Sequence, residues 1–218
     1  MTQRAIVLSN GEIGELATVR QRVRDWGEAL VIAADNGVRF AGPLGLFPDL
    51  IMGDMDSLDP GLLALFDKEP VTIIQAPVEK DETDLELALL EAAARGVEHI
   101  VVLGGVGARV DMTLANILLL IHPDLAGVRV ELWVANQTLW LIRPPGGDVS
   151  GQPGDTLSLI PVGGDASSIT THNLHYPLEN ETLTFGPARG ISNVLTASQA
   201  RVDLGGGLLL AVHTPGRA

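Results

Sequence analysis

Four short apolar runs punctuate the first half of this chain: Ala5-Ile6-Val7-Leu8, Ala29-Leu30-Val31-Ile32-Ala33-Ala34, Leu50-Ile51-Met52 and Ile100-Val101-Val102-Leu103. The last three stop at turn signals, respectively Asp35-Asn36-Gly37, Gly53 and Gly104-Gly105-Val106-Gly107. Runs of this length with no polar alternation suit strands buried on both faces, as in a parallel sheet. Helical signals fall between them. Residues 16–26 carry charges among apolar positions, and Pro60 fits the first turn of a helix through Phe66. After a further strand at 71–75, Thr83-Asp84-Leu85-Glu86 has capping-box spacing, with Leu85, Ala88, Leu89 and Ala92 on one apolar face and Gly96 as a stop. A helix over 111–121 and a strand over 128–134 complete the alternation. Residues 1–145 are therefore expected to form an α/β domain with a mostly parallel sheet.

From Pro144 the texture changes. Pro144-Pro145-Gly146-Gly147-Asp148 and Gly151-Gln152-Pro153-Gly154-Asp155 are turn-rich, and no later segment has helical periodicity. Short strands are expected at 156–162, 168–174, 181–185, 199–204 and 208–213, separated by Gly, Pro and Asn. Residues 146–218 accordingly predict a C-terminal all-β sandwich domain.

Composition removes several classes of function. The formal net charge of −13 repels polyanions, which disfavours nucleic acid and anionic membranes as partners. With 46% hydrophobic and 19% charged residues the 218-residue chain is suited to an ordered core, and without cysteine it has neither disulfides nor thiolate chemistry. The N-terminal apolar run is too short for a signal peptide and no stretch approaches a membrane span, so a cytoplasmic location is the default expectation.

Chemistry gathers at the strand ends. Asp54 and Asp56, at i and i+2 in an extended segment, point the same way at the end of an expected parallel strand, where such sheets place ligands. Their hard oxygens suit Mg²⁺, although Asp56, Ser57 and Asp59 also fit a turn and helix cap. Glu79-Lys80-Asp81-Glu82-Thr83-Asp84 forms a second acidic cluster with one cation, Lys80; dipole and capping preferences at a helix N-terminus also account for it. If Asp81 and Asp84 meet Asp54 and Asp56 at one sheet edge, a metal site results. The glycine-rich segment 104–107 leads into a helix and offers backbone N–H groups to phosphate. It is not a Rossmann fingerprint, since Val110 stands where the third glycine belongs, and no P-loop G-K-[ST] occurs. Arg109 suits either bidentate phosphate binding or an ion pair with Asp111. The five histidines lack zinc-site spacing and no G-x-S-x-G elbow is present.

The ordered set Ala34-Asp35-Asn36-Gly37, Pro48-Asp49-Leu50-Ile51-Met52-Gly53-Asp54-Met55-Asp56-Ser57, Lys80-Asp81-Glu82-Thr83-Asp84-Leu85-Glu86 and residues 104–116 resembles the thiamine pyrophosphokinase family. The likeness continues through Gly154-Asp155-Thr156-Leu157-Ser158-Leu159-Ile160-Pro161 and Gly190-Ile191-Ser192-Asn193. It implies an α/β catalytic domain and a β-sandwich, in a homodimer that holds thiamine between one subunit's catalytic domain and its partner's sandwich. It further implies pyrophosphoryl transfer from ATP to thiamine. Asp54, Asp56 and Asp84 would be magnesium ligands, with Asp81 and Lys80 nearby, and a carboxylate such as Asp81 would accept the hydroxyl proton. Asp35, Arg109 and Asp111 would serve the nucleotide, and Ser192 and Asn193 the thiamine pyrimidine. The chain departs from the family pattern at Asn36, where glycine is usual, at Ala108, also usually glycine, and at Met112, usually His or Gln. It also has Leu208-Leu209-Leu210 where some members stack thiamine on tryptophan. Another alcohol acceptor, such as a pterin, or a noncatalytic binding protein are the alternatives.

Overall fold

Residues 3–54 and 71–216 are described in a computed structural model. Their chain divides into two units, residues 1–135 and 136–218.

In the first unit, the apolar runs form strands β1 (Arg4–Leu8), β2 (Leu30–Ala34), β3 (Leu50–Gly53), β4 (Thr72–Gln75), β5 (His99–Leu103) and β6 (Arg129–Val134). All pair in parallel, in the order β4-β3-β2-β1-β5-β6. Leu8 is level with both Ala33 and Leu103, so β1, β2 and β5 finish at one edge. The central strands are buried on both faces because helices cover them. Helices α1 (Leu16–Trp26) and α2 (Ala41–Leu44) place Val19, Val23 and Leu44 in a core with Ile6, Leu8, Val31, Ala33 and Leu103. Helix α3 (Asp84–Ala94) packs on β1, β2 and β3. Its expected cap is present: Thr83 Oγ1 accepts from Glu86 N at 3.1 Å, and Leu85, Ala88, Leu89 and Ala92 are all buried. Helix α4 (Val110–Leu118) ends three residues earlier than periodicity suggests and tightens into a 3₁₀ turn at Leu119–Ile121. The helix expected from Pro60 lies outside the described residues.

The second unit contains two antiparallel sheets. One has the order β12 (Asn193–Val194), β9 (Thr156–Pro161), β14 (Leu209–Thr214), β7 (Gln137–Ile142), and the other β11 (Glu181–Leu183), β10 (Ala166–His172), β13 (Gln199–Asp203), β8 (Gly146–Ser150). Both contribute to one core, in which Leu157, Leu209 and Ala211 share contacts with Val149, Ile169 and Val202. This is the β-sandwich. The units divide ten residues before the turn-rich boundary, because β7 pairs with β14 and belongs to the second unit. The segment 146–150, turn-rich in sequence, is a strand along an outer edge, where glycine is tolerated. Asp155 ties this unit together: its carboxylate accepts from Gln152 N (2.8 Å), His213 Nε2 (2.9 Å) and Gly216 N (2.7 Å). Among the described residues no helix is long and apolar enough to cross a membrane.

At the starting end of the parallel strands, Glu131 is buried beneath a group of donors. Arg129 Nε and Trp133 Nε1 donate to it at 2.8 and 3.0 Å, and His99 Nε2 lies 3.2 Å away. The Arg22 guanidinium stacks 4.1 Å from the centre of the Trp133 ring. Burial alone would raise the Glu131 pKa, but the nearby His99 ring and the bonds from Trp133 and Arg129 outweigh it and hold the carboxyl at about 2. A depressed carboxyl stabilises the fold fully above its unfolded value near 4.5, and that contribution disappears as pH falls towards 2. Urea unfolding between about pH 6 and pH 2 should therefore show wild type losing on the order of 3 kcal/mol more than Glu131→Gln. Parallel stability profiles for the two proteins would refute this role.

Candidate active site

The strand order changes direction at β1. Strands β2, β3 and β4 run outward on one side, whereas β5 returns to the other, so the turns after β1 and β5 diverge at a switch point. A cleft of about 560 Å³ opens there. It is lined by Ser9, Asn10 and Gly11 after β1, by Ala34 and Asp35 after β2, by Lys80, Thr83 and Asp84 at the start of α3, and by 104–109 with Met112, Thr113 and Asn116 of α4.

On one wall, carboxylates from the ends of β2 and β3 and from the start of α3 act on one ammonium group. Lys80 Nζ donates to Asp84 Oδ1 at 2.8 Å, in a pair that is largely buried. That hydrogen bond is the main reason the Lys80 pKa is raised; desolvation opposes it, and the charges of Asp84, Asp54 and Asp35 add to it. Asp54 follows β3 directly, and Asp35 opens the 3₁₀ segment after β2 with φ of 48°. Asp54 of the first acidic stretch and Asp84 of the second thus act on the same ammonium group. Oxygen-only donors of this kind are the chemistry a hard divalent cation takes. Among the described residues no three acidic or imidazole groups complete an ion site, and Asp56 lies outside them.

The opposite wall is backbone. Gly11 N donates to Gly104 O at 2.8 Å and Glu12 N to Val106 O at 2.7 Å, joining the turn after β1 to the glycine-rich loop after β5. The approach is so close that a Cβ on Gly11 would stand 2.3 Å from Val106 O and 2.4 Å from Gly104 O. Arg39 Nη2 braces the β1 turn by donating to Asn10 O at 3.1 Å. At the rim, Arg109 holds Asp111 through two bonds, Nη2 to Oδ2 at 2.5 Å and Nε to Oδ1 at 3.2 Å. Both side chains are exposed, 73% and 67%. The Arg109 bond is the chief cause of the lowered Asp111 pKa, and the Arg109 pKa rises in return.

Of the candidate residues, Asp35, Lys80, Asp84 and Arg109 line this cleft and Asp54 acts on Lys80. Asp81 is exposed and Asp111 is engaged with Arg109; neither lines the cleft. Ser192 and Asn193 belong to the second unit, where the Asn193 amide clamps Tyr176, accepting from its N–H at 2.9 Å and donating to its carbonyl at 2.7 Å. Ala108 and Met112, two departures from the family pattern, line the cleft as well. Sequence reasoning missed Asn10 and Gly11, whose Asn-Gly turn directly after the first apolar run was an available signal. It also missed Thr113 and Asn116, polar residues three apart on a helix that is otherwise largely apolar.

The fold defines an α/β protein with a cleft at the switch point of a parallel sheet, where such sheets place ligands. Residues 24–132 match the family model of the thiamin pyrophosphokinase catalytic domain, and residues 148–209 that of the thiamin pyrophosphokinase vitamin B1 binding domain. A thiamine pyrophosphokinase of Bacillus subtilis (strain 168) is 28% identical over 186 residues, 85% of this chain and 87% of the relative. The crystal structure of thiamine pyrophosphokinase from Bacillus subtilis superposes with a TM-score of 0.86 at 26% identity, covering 97% of this chain and 99% of that one. A thiamin pyrophosphokinase family protein from Enterococcus faecalis gives 0.80 at 25% identity, over 98% and 99%. The chain belongs to the thiamin pyrophosphokinase family.

The backbone wall is directly testable. Gly11→Ala should lower stability by about 2 kcal/mol or more, through overpacking against two carbonyls, and weaken nucleotide binding at the same time. Wild-type melting and wild-type affinity in this variant would show that the loops do not need the contact.

Proposed function

We propose that this chain transfers the pyrophosphoryl group of ATP to the hydroxyl of thiamine, giving thiamine diphosphate and AMP. The observation that carries this is the convergence of Asp35, Asp54 and Asp84 on Lys80, in one cleft with the glycine-rich loop. Triphosphate and carboxylates repel each other, so ATP needs cations and N–H groups between them. Lys80 and Arg109 bring positive charge, the latter by exchanging Asp111 for a phosphate oxygen, and the loop with the start of α4 brings backbone donors.

Asp54, Asp56 and Asp84 are the proposed magnesium ligands, and the ion would supply charge neutralisation on bridging and leaving phosphate oxygens. The chain's own residues position the reactants. Asp81, exposed beside α3, accepts the thiamine hydroxyl proton as the oxygen bonds to the β-phosphorus and the bond to the AMP oxygen breaks. The first unit serves catalysis and ATP, with Asp35 and Asp111 on the nucleotide side. The second serves thiamine binding and dimerisation. Support for the thiamine role of Ser192 and Asn193 comes from their lying within residues 148–209, which match the vitamin B1 binding domain model, and from the clamp that fixes Asn193. The assembly is a cytoplasmic homodimer in which the sandwich of one subunit completes the thiamine site of the other.

Chromatographic assay of AMP and thiamine diphosphate tests this. Product should depend on thiamine, disappear with a chelator and return with Mg²⁺, and Asp54→Ala should lower kcat about a hundredfold or more. Folded protein that makes no thiamine diphosphate from ATP, thiamine and Mg²⁺ would overturn the function; full activity in Asp54→Ala would overturn the metal role.

A further inference from the structure

Five consecutive carbonyls of the loop after β5 each accept a hydrogen bond from within the chain. Leu103 O takes Ser9 N (2.8 Å), Gly104 O takes Gly11 N (2.8 Å) and Val106 O takes Glu12 N (2.7 Å). The remaining two donors are side chains of α4. Asn116 Nδ2 donates to Gly105 O at 2.8 Å, and Thr113 Oγ1 donates to Gly107 O at 3.1 Å while accepting from Gly107 N at 3.1 Å. Gly105 and Gly107 are the positions where a peptide plane turns most easily, since glycine has no Cβ to hinder it. An anion site requires N–H groups towards the ligand and carbonyls away from it. Without their side-chain donors, these two carbonyls would be free to swing into the cleft and repel a phosphate.

We infer that Thr113 and Asn116 are positioning residues that hold the Gly107 and Gly105 carbonyls of the glycine-rich loop out of the cleft, so that they do not oppose a bound phosphate. Asn116 also differs from an ordinary core amide. It is 6% exposed and lines the cleft, yet its Oδ1 is buried with no hydrogen-bond partner among the described residues. A purely structural amide is selected to satisfy both ends. Here the amide uses only its donor end, which holds Gly105.

The inference rests on the cleft being the ATP site, and the test separates the two. Binding of a nonhydrolysable ATP analogue and of adenosine is measured by calorimetry, with KM for both substrates and melting temperature, for wild type, Thr113→Val, Thr113→Ser and Asn116→Asp. Thr113→Val removes the hydroxyl at constant volume, Thr113→Ser restores it, and Asn116→Asp keeps the shape but cannot donate to Gly105. Thr113→Val and Asn116→Asp should weaken the ATP analogue and raise KM for ATP about tenfold, leaving adenosine and KM for thiamine within twofold. Thr113→Ser should match wild type. Unchanged analogue affinity in Thr113→Val overturns the positioning role alone. Equal losses for adenosine, thiamine and ATP, tracking the melting temperature, overturn it in favour of a structural role. Wild type that binds no ATP analogue overturns the positioning role and the ATP site together.

Discussion

The end of β1 is a place where the backbone of one turn meets another with no side chain between them. Gly11 lies against Gly104 and Val106, and Gly37 lies so close to β1 that a Cβ there would come within 2.2 Å of Leu8 O. Three chain segments, following β1, β2 and β5, therefore pack around one strand terminus at main-chain distance. The rest of the cleft depends on this. Contact at that range allows the β1 turn to donate into the loop after β5, bracing one wall, while the strands beyond β2 bring the carboxylates to the other.

Much of this was legible because burial leaves a periodic trace. Each parallel strand reads as an uninterrupted apolar run, and the Thr83 cap is local chemistry within four residues. What escaped is determined over longer range. Strand β8 carries two glycines and reads as a turn, but its partner β13, some fifty residues later, supplies the ladder. Strand β7 has its partner in β14, and only that pairing assigns it to the second unit. At the site, the convergence on Lys80 followed from strand ends sharing an edge. The engagement of Arg109 with Asp111 was visible as an alternative at two-residue spacing, whereas the bonds from Thr113 and Asn116 depend on how α4 turns back on its own preceding loop. Of the two acidic stretches, Asp81 points to solvent although it lies within the same motif as Lys80 and Asp84.

The two ends of the parallel sheet handle negative charge in opposite ways. At the starting end, a single carboxylate, Glu131, is saturated by donors from its own and neighbouring strands, and its burial is tolerable for that reason. At the finishing end, several carboxylates gather on one ammonium group along a wall of the cleft. The first arrangement is closed and serves the fold. The second is open, and its negative charge is answered within the chain by Lys80.

Strand β14, the latest strand in chain order, is paired on both sides, with β7 and with β9. During synthesis, β7 and β9 emerge from the ribosome long before the strand that must lie between them. The first unit has no such delay, since all its strands precede residue 135. Because β7 and β9 each pair with β14, the sheet of the second unit closes only when β14 enters between them, a long-range pairing of the kind that costs loop-closure entropy before its contacts form.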